Sequence, residues 1–220
     1  MRGFMKVAGI VALLAVAAPV GAAAAAAAAS SNSASILQAG VIAPQDVPET
    51  WQQAAQPDAG LGPLRKISVC KQYAAFVTTA RKSPFRLSPR FSDPSNGGST
   101  MAEDTVYAFK SASAATKYVT ALLARNVPSC IHDALQQQIG NQGQVGALTP
   151  ITGLSGVGDQ STGYESVVTV PGQGTLIVDE VGVRVGRAFV GFTFANPTAT
   201  IPEGPAIVNA VVNRLSQAGA

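Results

Sequence analysis

The stretch TLIVDEVGVRVGRAFVGFTFA, Thr175–Ala195, decides the fold. Two runs of β-formers, Thr175–Val185 and Ala188–Ala195, flank Gly186-Arg187, a Gly-X pair suited to a type II′ hairpin turn. That turn predicts a register: Val185 opposite Ala188, Val183 opposite Val190 and Val181 opposite Phe192. All six are apolar and share one face. The other face pairs Arg184 with Phe189, Gly182 with Gly191 and Glu180 with Thr193. A slip of one residue would scramble this separation, so turn chemistry and hydrophobic pattern agree. Pro205 then opens a helix whose stripe of Ile207, Val208, Val211, Val212 and Leu215 must be buried. The apolar face of the hairpin is the surface available to it.

Moving toward the amino terminus, Gly163–Val170 reads as a strand turned into the hairpin by Pro171-Gly172-Gln173-Gly174. Cys130–Gln138 reads as a short helix after Pro128, which stops the helix before it. In that earlier helix, capped by Ser111 or Ser113, the stripe is Ala115, Tyr118, Val119, Leu122 and Leu123. Thr105–Phe109 is a strand and Asp93–Ser99 a turn. Phe85–Phe91 is a strand that Pro89 confines to an edge or a bulge. Val69–Ala80 carries Val69, Tyr73, Phe76, Val77 and Ala80 on one helical face. Gln52–Pro63 reads as loop, Ile36–Val41 as a short helix, and Ser30–Ser35 as a loose polar joint. Adjacent hairpins with amphipathic helices before and after predict an α+β domain over residues 36–220. Its mostly antiparallel sheet would carry helices on one face. A domain of this size buries roughly 70% of its unfolded surface, so the core needs no metal or cofactor.

The chain has 220 residues, of which 12% are charged and 47% hydrophobic, a composition that excludes a charged disordered polymer. Residues 1–29 read as an export signal: Arg2 and Lys6, the apolar run Val7–Ala18, then an alanine tract with cleavage expected after Ala29. A retained anchor is the rival reading, since Val7–Ala29 holds no charge. Losing Arg2 and Lys6 reduces 15 basic side chains to 13 against 12 acidic ones. Such a balance exerts no general pull on nucleic acid or an anionic membrane, and no stable membrane insertion is expected after cleavage. The run Arg65, Lys66, Lys71, Arg81, Lys82, Arg86 and Arg90 contains no acid. It reads either as a solvated face or as a patch for an anionic cell-wall or lipid partner. Cys70 and Cys130 are the two cysteines. In an exported chain they allow one intramolecular pairing, and without a C-x-x-C motif a structural bridge is expected.

The search for chemistry returns little. Gly153-Leu154-Ser155-Gly156-Val157 lacks the last glycine of a nucleophile elbow. His132 is the single imidazole, which suits a helix surface better than a triad. Glu103-Asp104 and Asp179-Glu180 are neighbours that point to opposite faces of a strand. Other acid pairs that meet in space leave hydrolysis open. Metal chemistry lacks ligands. The opposed glycines Gly182 and Gly191 fit tight packing, a bulge, or the floor of a groove flanked by Arg184 and Phe189.

Taken together, Cys70 at a helix start, VYAFKSASAATKYVTALL (106–123), Cys130, GVGDQSTGY (156–164) and VGVRVGRAFVGFTFANP (181–197) followed by a helix form a recognisable cadence. It resembles the PknH-like extracellular sensor domain, over about Ile36 to the end of the chain. The resemblance implies an actinobacterial envelope protein: a binding or sensing domain with a cleft, no catalytic residues and no cofactor. It also implies a second disulfide in kinase-attached members, where this chain has only Cys70 and Cys130. No kinase domain is present in the sequence, so binding rather than relay is expected. The expected site residues are Arg86, Arg90, Arg184 and Phe189. Their partner would be an anionic envelope molecule or a small ligand, and the oligomeric state is left open. A small secreted hydrolase acting on a cell-wall or ester substrate is the alternative, and a structural envelope protein without a ligand is a third reading.

Overall fold

The computed structural model describes residues 31–56, 67–71, 78, 80, 82–123, 127–172 and 174–220. The expected signal segment, the interior of the 69–80 helix, and Arg65, Lys66 and Arg81 lie outside the described residues. The described elements begin with α1 (Ser31–Ala39) and the short strands β1 (Gln52–Ala54), β2 (Phe85–Leu87) and β3 (Arg90–Ser92). Then come β4 (Met101–Ala108), α2 (Ala112–Leu122), α3 (Val127–Ile139), β5 (Gln144–Val145) and β6 (Thr149–Pro150). The long strands β7 (Gln160–Val170), β8 (Gly174–Val185) and β9 (Ala188–Asn196) lead to α4 (Gly204–Gln217). The sheet runs β1-β3-β4-β9-β8-β7-β5, with β2 also on β4 and β6 also on β7. Its pairings are antiparallel, as an α+β reading requires.

The β8–β9 register is the expected one at every pair named above. Gly186 has φ +53°, and no non-glycine residue among those described has positive φ, which fits a type II′ turn with Gly at its first central position. Pro89 breaks the 85–91 strand into β2 and β3. Ser88 patches the gap: its Oγ accepts from the Asp104 N–H at 2.8 Å, and its own N–H donates to the Asp104 carbonyl at 3.0 Å.

The helices cover both faces of the sheet rather than one. Val181, Val183, Val185, Val190 and Phe192 are buried with Ile36 of α1 and Ile207, Val211 and Leu215 of α4. Leu176, Val178 and Phe189, of opposite parity, are buried with Tyr118, Val119 and Leu122 of α2 and Leu135 of α3. Strands with apolar residues at both parities need a cover on each side. Glu180 and Thr193, the polar pair of this second face, are buried as well, Glu180 beside Leu122 of α2 and Ile131 of α3.

Four local expectations are corrected. Ser30–Ser35 is not a loose joint, because α1 starts at Ser31 and the buried Ser33 Oγ accepts from both terminal nitrogens of Arg187 at 3.3 and 3.2 Å. Gln52–Ala54 adds an edge strand to β3 instead of staying loop. Leu123 leaves the α2 stripe, being the C-cap and 50% exposed. Pro128 starts α3 rather than stopping α2, which is where its missing N–H costs nothing. Cys70 and Cys130 form a disulfide with Cα atoms 4.8 Å apart, tying the 3-10 turn Ser68–Cys70 to α3. α1 is fastened to α4 in turn: Arg214 makes two bonds to the Asp46 carboxylate at 2.6 and 2.7 Å and donates to the carbonyls of Ala39 and Val41.

Candidate functional site

The turn between β7 and β8 sets the pairing Val170 to Gly174, and the register that follows puts Glu165 directly opposite Asp179. Two residues along the same face, Gly163 faces Val181. The segment after β6 lies over Gly163: the Ile151 N–H donates to the Gly163 carbonyl at 2.9 Å, and the Ser161 hydroxyl donates to the Leu154 carbonyl at 2.6 Å. A Cβ on Gly163 would stand 3.0 Å from Leu154 Cδ1. Any larger residue there would push the Leu154 and Ile151 side chains back by a few tenths of an ångström.

Between that segment and the amino end of α4 lies a cleft of about 470 Å³. Its floor includes Val181 and Phe194, one wall Ile151, Leu154 and Val157, and the opposite wall Ile201 and Val208. Glu165 and Asp179 line it together, with Thr200 beside them. The Thr200 hydroxyl donates to Glu165 Oε2 at 3.2 Å. Asp179 is only 3% exposed, and its Oδ1 has no hydrogen-bond partner among the described residues. Burial, and then the neighbouring Glu165 charge, push the Asp179 carboxyl up to about 6, against a lowering by Thr200. Among the described residues no lysine, arginine or histidine lines the cleft. The volume falls within the range of small-molecule sites, as does the pattern of apolar walls with a few converging polar groups.

A second pair of acids sits on the opposite face. Glu103 and Glu180 flank Thr193 across β4, β9 and β8. Arg90 Nε donates to Glu103 at 2.6 Å, and Thr193 Oγ1 donates to Glu180 at 3.0 Å. Burial raises both carboxyls, and Glu103 and Asp179 raise Glu180 further. Asp104, whose Oδ1 accepts from the Ile42 N–H at 3.0 Å, is pushed up to about 7 by burial. Glu103 and Asp104 are 0% exposed and Glu180 2%, so no ligand reaches them as the protein stands. The expectation that neighbouring acids diverge holds here: Asp179 faces the cleft, while Glu180 packs under α2 and α3.

The residues expected at a site are dispersed, and none of them lines the cleft. Arg86 is exposed and donates to Gln38. Arg90 belongs to the buried ion pair with Glu103. Arg184 bonds Asp159 at 2.9 Å and Gln160 at 2.7 Å. Phe189 is 1% exposed, edge-on to Tyr118 with ring centroids 4.9 Å apart. A Cβ on Gly182 would meet Phe189 Cζ at 2.9 Å, so Gly182 makes room for that ring and leaves no groove floor there. His132 contacts Asp133 and the Val145 carbonyl. Among the described residues no three His, Cys, Asp or Glu side chains are placed to hold a metal, and no helix is long and apolar enough to cross a membrane.

Comparison with known proteins adds little to the geometry. No family model matches the chain, and no curated protein is similar to it. Among solved structures, the extracellular domain of PknH from Mycobacterium tuberculosis is similar at a TM-score of 0.36 and 10% identity, over 61% of this chain and 79% of that one. At that level the likeness transfers neither a site nor an activity.

Proposed function

We propose that this chain is an exported, non-enzymatic binding domain of the bacterial cell envelope, of the PknH-like sensor type, whose small-molecule ligand occupies the cleft between the 149–157 segment and α4. The observation that carries the reading is an apolar cavity of about 470 Å³ lined by two carboxylate residues, Glu165 and Asp179, in cross-strand register. Export is supported by the Cys70–Cys130 disulfide, since such bridges persist in oxidising compartments. Kinship with PknH-like domains rests on the sequence cadence alone. An anionic envelope molecule meets no cation among the described residues of this cleft, and Arg90 and Arg184 are already paired with Glu103 and Asp159. The ligand we favour is therefore mainly apolar.

A neutral naphthylamine dye tests the reading. It should brighten on binding the wild-type protein, and Leu154→Trp, which fills the cleft from its partly exposed wall, should abolish the signal at unchanged Tm. Dye binding indifferent to Leu154→Trp would refute the assignment. The hydrolase reading keeps one supporting observation, a carboxyl raised to about 6 beside a second carboxyl at the same surface, which is the form of an acid–base pair. Glycoside or ester turnover that vanishes in Asp179→Asn would establish it. The binding reading expects no turnover from either protein.

A further inference from the structure

We infer that the ligand of this cleft is an amphiphilic amine, its ammonium group held between Asp179 and Glu165 and its apolar body lying along Val181 and Phe194. The inference rests on the cleft being the binding site and adds the chemistry of the ligand's head group. Two carboxylates sit in cross-strand register at one end of an apolar cavity. Of their four oxygens, Glu165 Oε2 is met by the Thr200 hydroxyl, whereas Asp179 Oδ1 is buried and has no hydrogen-bond partner among the described residues. An ammonium supplies three donors in a compact charge, enough for both carboxylates at once. A hydroxyl could satisfy one oxygen but would leave the negative charge uncompensated.

Other charges near the pair do not change its sign. Gly204 and Pro205 at the amino end of α4 line the same cleft, and a helix terminus contributes only about half a positive charge. Among the described residues, no lysine, arginine or histidine lines the cleft to neutralise the pair. A bare divalent cation suits the site poorly, because calcium and magnesium ask for six or more oxygens and most of this wall is carbon. Attraction is also local: once the expected signal is removed, the chain carries 13 basic and 12 acidic side chains, so an amine gains nothing from the protein as a whole.

Decylamine, decanol and decanoate share one apolar body and differ in head-group charge. Displacement of the naphthylamine dye at pH 7.5 should rank decylamine at least tenfold tighter than decanol, with decanoate weakest. A tenfold preference corresponds to about 1.4 kcal/mol. Asp179→Asn, and separately Glu165→Gln at the partly exposed position, should shrink the amine-to-alcohol ratio toward one, with Tm confirming that both variants fold. Equal affinities for amine and alcohol in the wild type would overturn the inference while leaving the cleft as an apolar site. An amine preference that survives both substitutions would overturn it as well. If none of the three probes displaces the dye, the cleft assignment and the amine inference fail together.

Discussion

The two faces of the sheet are filled by different means. Under α2 and α3, Phe85, Tyr107, Phe109, Tyr118 and Phe189 form a chain of ring contacts with centroids 4.9 to 6.2 Å apart. The disulfide closes the same layer, and the space left beside Glu180 and Phe189 is about 10 Å³. Under α1 and α4 the buried side chains are mostly valine and isoleucine, with one stacked pair, Phe192 and Phe194. That cover thins toward β7, where the 149–157 segment bridges the remaining distance and a cavity of about 470 Å³ stays open. Large rings and a cross-link leave little room, whereas short branched side chains leave a margin at the sheet's far strands, where α4 but not α1 lines the cleft. One face is thus built to hold shape, and the other has space for a guest.

Substitutions can break this contrast. Phe189→Ala, in the closed layer, should cost roughly 3–5 kcal/mol, because the ring over Gly182 leaves a cavity that β8 and α2 cannot collapse into. Reducing the Cys70–Cys130 bridge frees a loop spanning 60 positions and should cost about 4 kcal/mol. Leu154→Ala, on the partly exposed wall of the cleft, should cost under about 1 kcal/mol. Urea titrations compare the three directly. If Leu154→Ala proved as damaging as Phe189→Ala, the two faces would be equally structural and the cleft would lose its distinction.

What could be read ahead of the structure depended on how tightly each turn fixes its strands. At Gly186-Arg187 a two-residue loop permits one register, and alternation of valines confirms it. A four-residue turn over Pro171–Gly174 would set Glu165 opposite Glu180. The actual pairing of Val170 with Gly174 shifts every partner by one and brings Glu165 to Asp179. The acid pair of the cleft was therefore hidden by a single position in a loop. The second apolar face was hidden by charge: Glu180 and Glu103 are buried with hydrogen-bonding partners, Thr193 and Arg90, and acids of that kind normally mark solvent. α1 was missed at its start because a serine-rich segment looks like a linker, while Ser33 turns inward to Arg187. The arginines chosen as ligand contacts were visible as charges, but their partners Gln38, Glu103 and Asp159 were not.

The one substitution expected to stabilise the fold sharpens the contrast most. An acid whose folded-state value is raised, as Asp179 is from 3.8 to about 6, stabilises the fold fully below its unfolded value, and that contribution is lost as pH rises through the folded one. At pH 8 the ionised carboxylate is a liability, nearly covered yet facing a cleft that solvent can enter. Discounting for that solvent, Asp179→Asn should raise stability by about 1–2 kcal/mol at pH 8 and by nothing near pH 3, where the wild-type carboxyl is already protonated. Thermal melts of both proteins across pH 3 to 8 read the difference and cancel the similar contributions of Asp104 and Glu180, which both share. A gain confined to high pH means that the open face keeps a charge at the expense of stability, as a site that awaits a cationic partner would. A loss at pH 8 would mean that Asp179 holds the fold together there, and the cleft would then be a gap in packing with an acid at its edge.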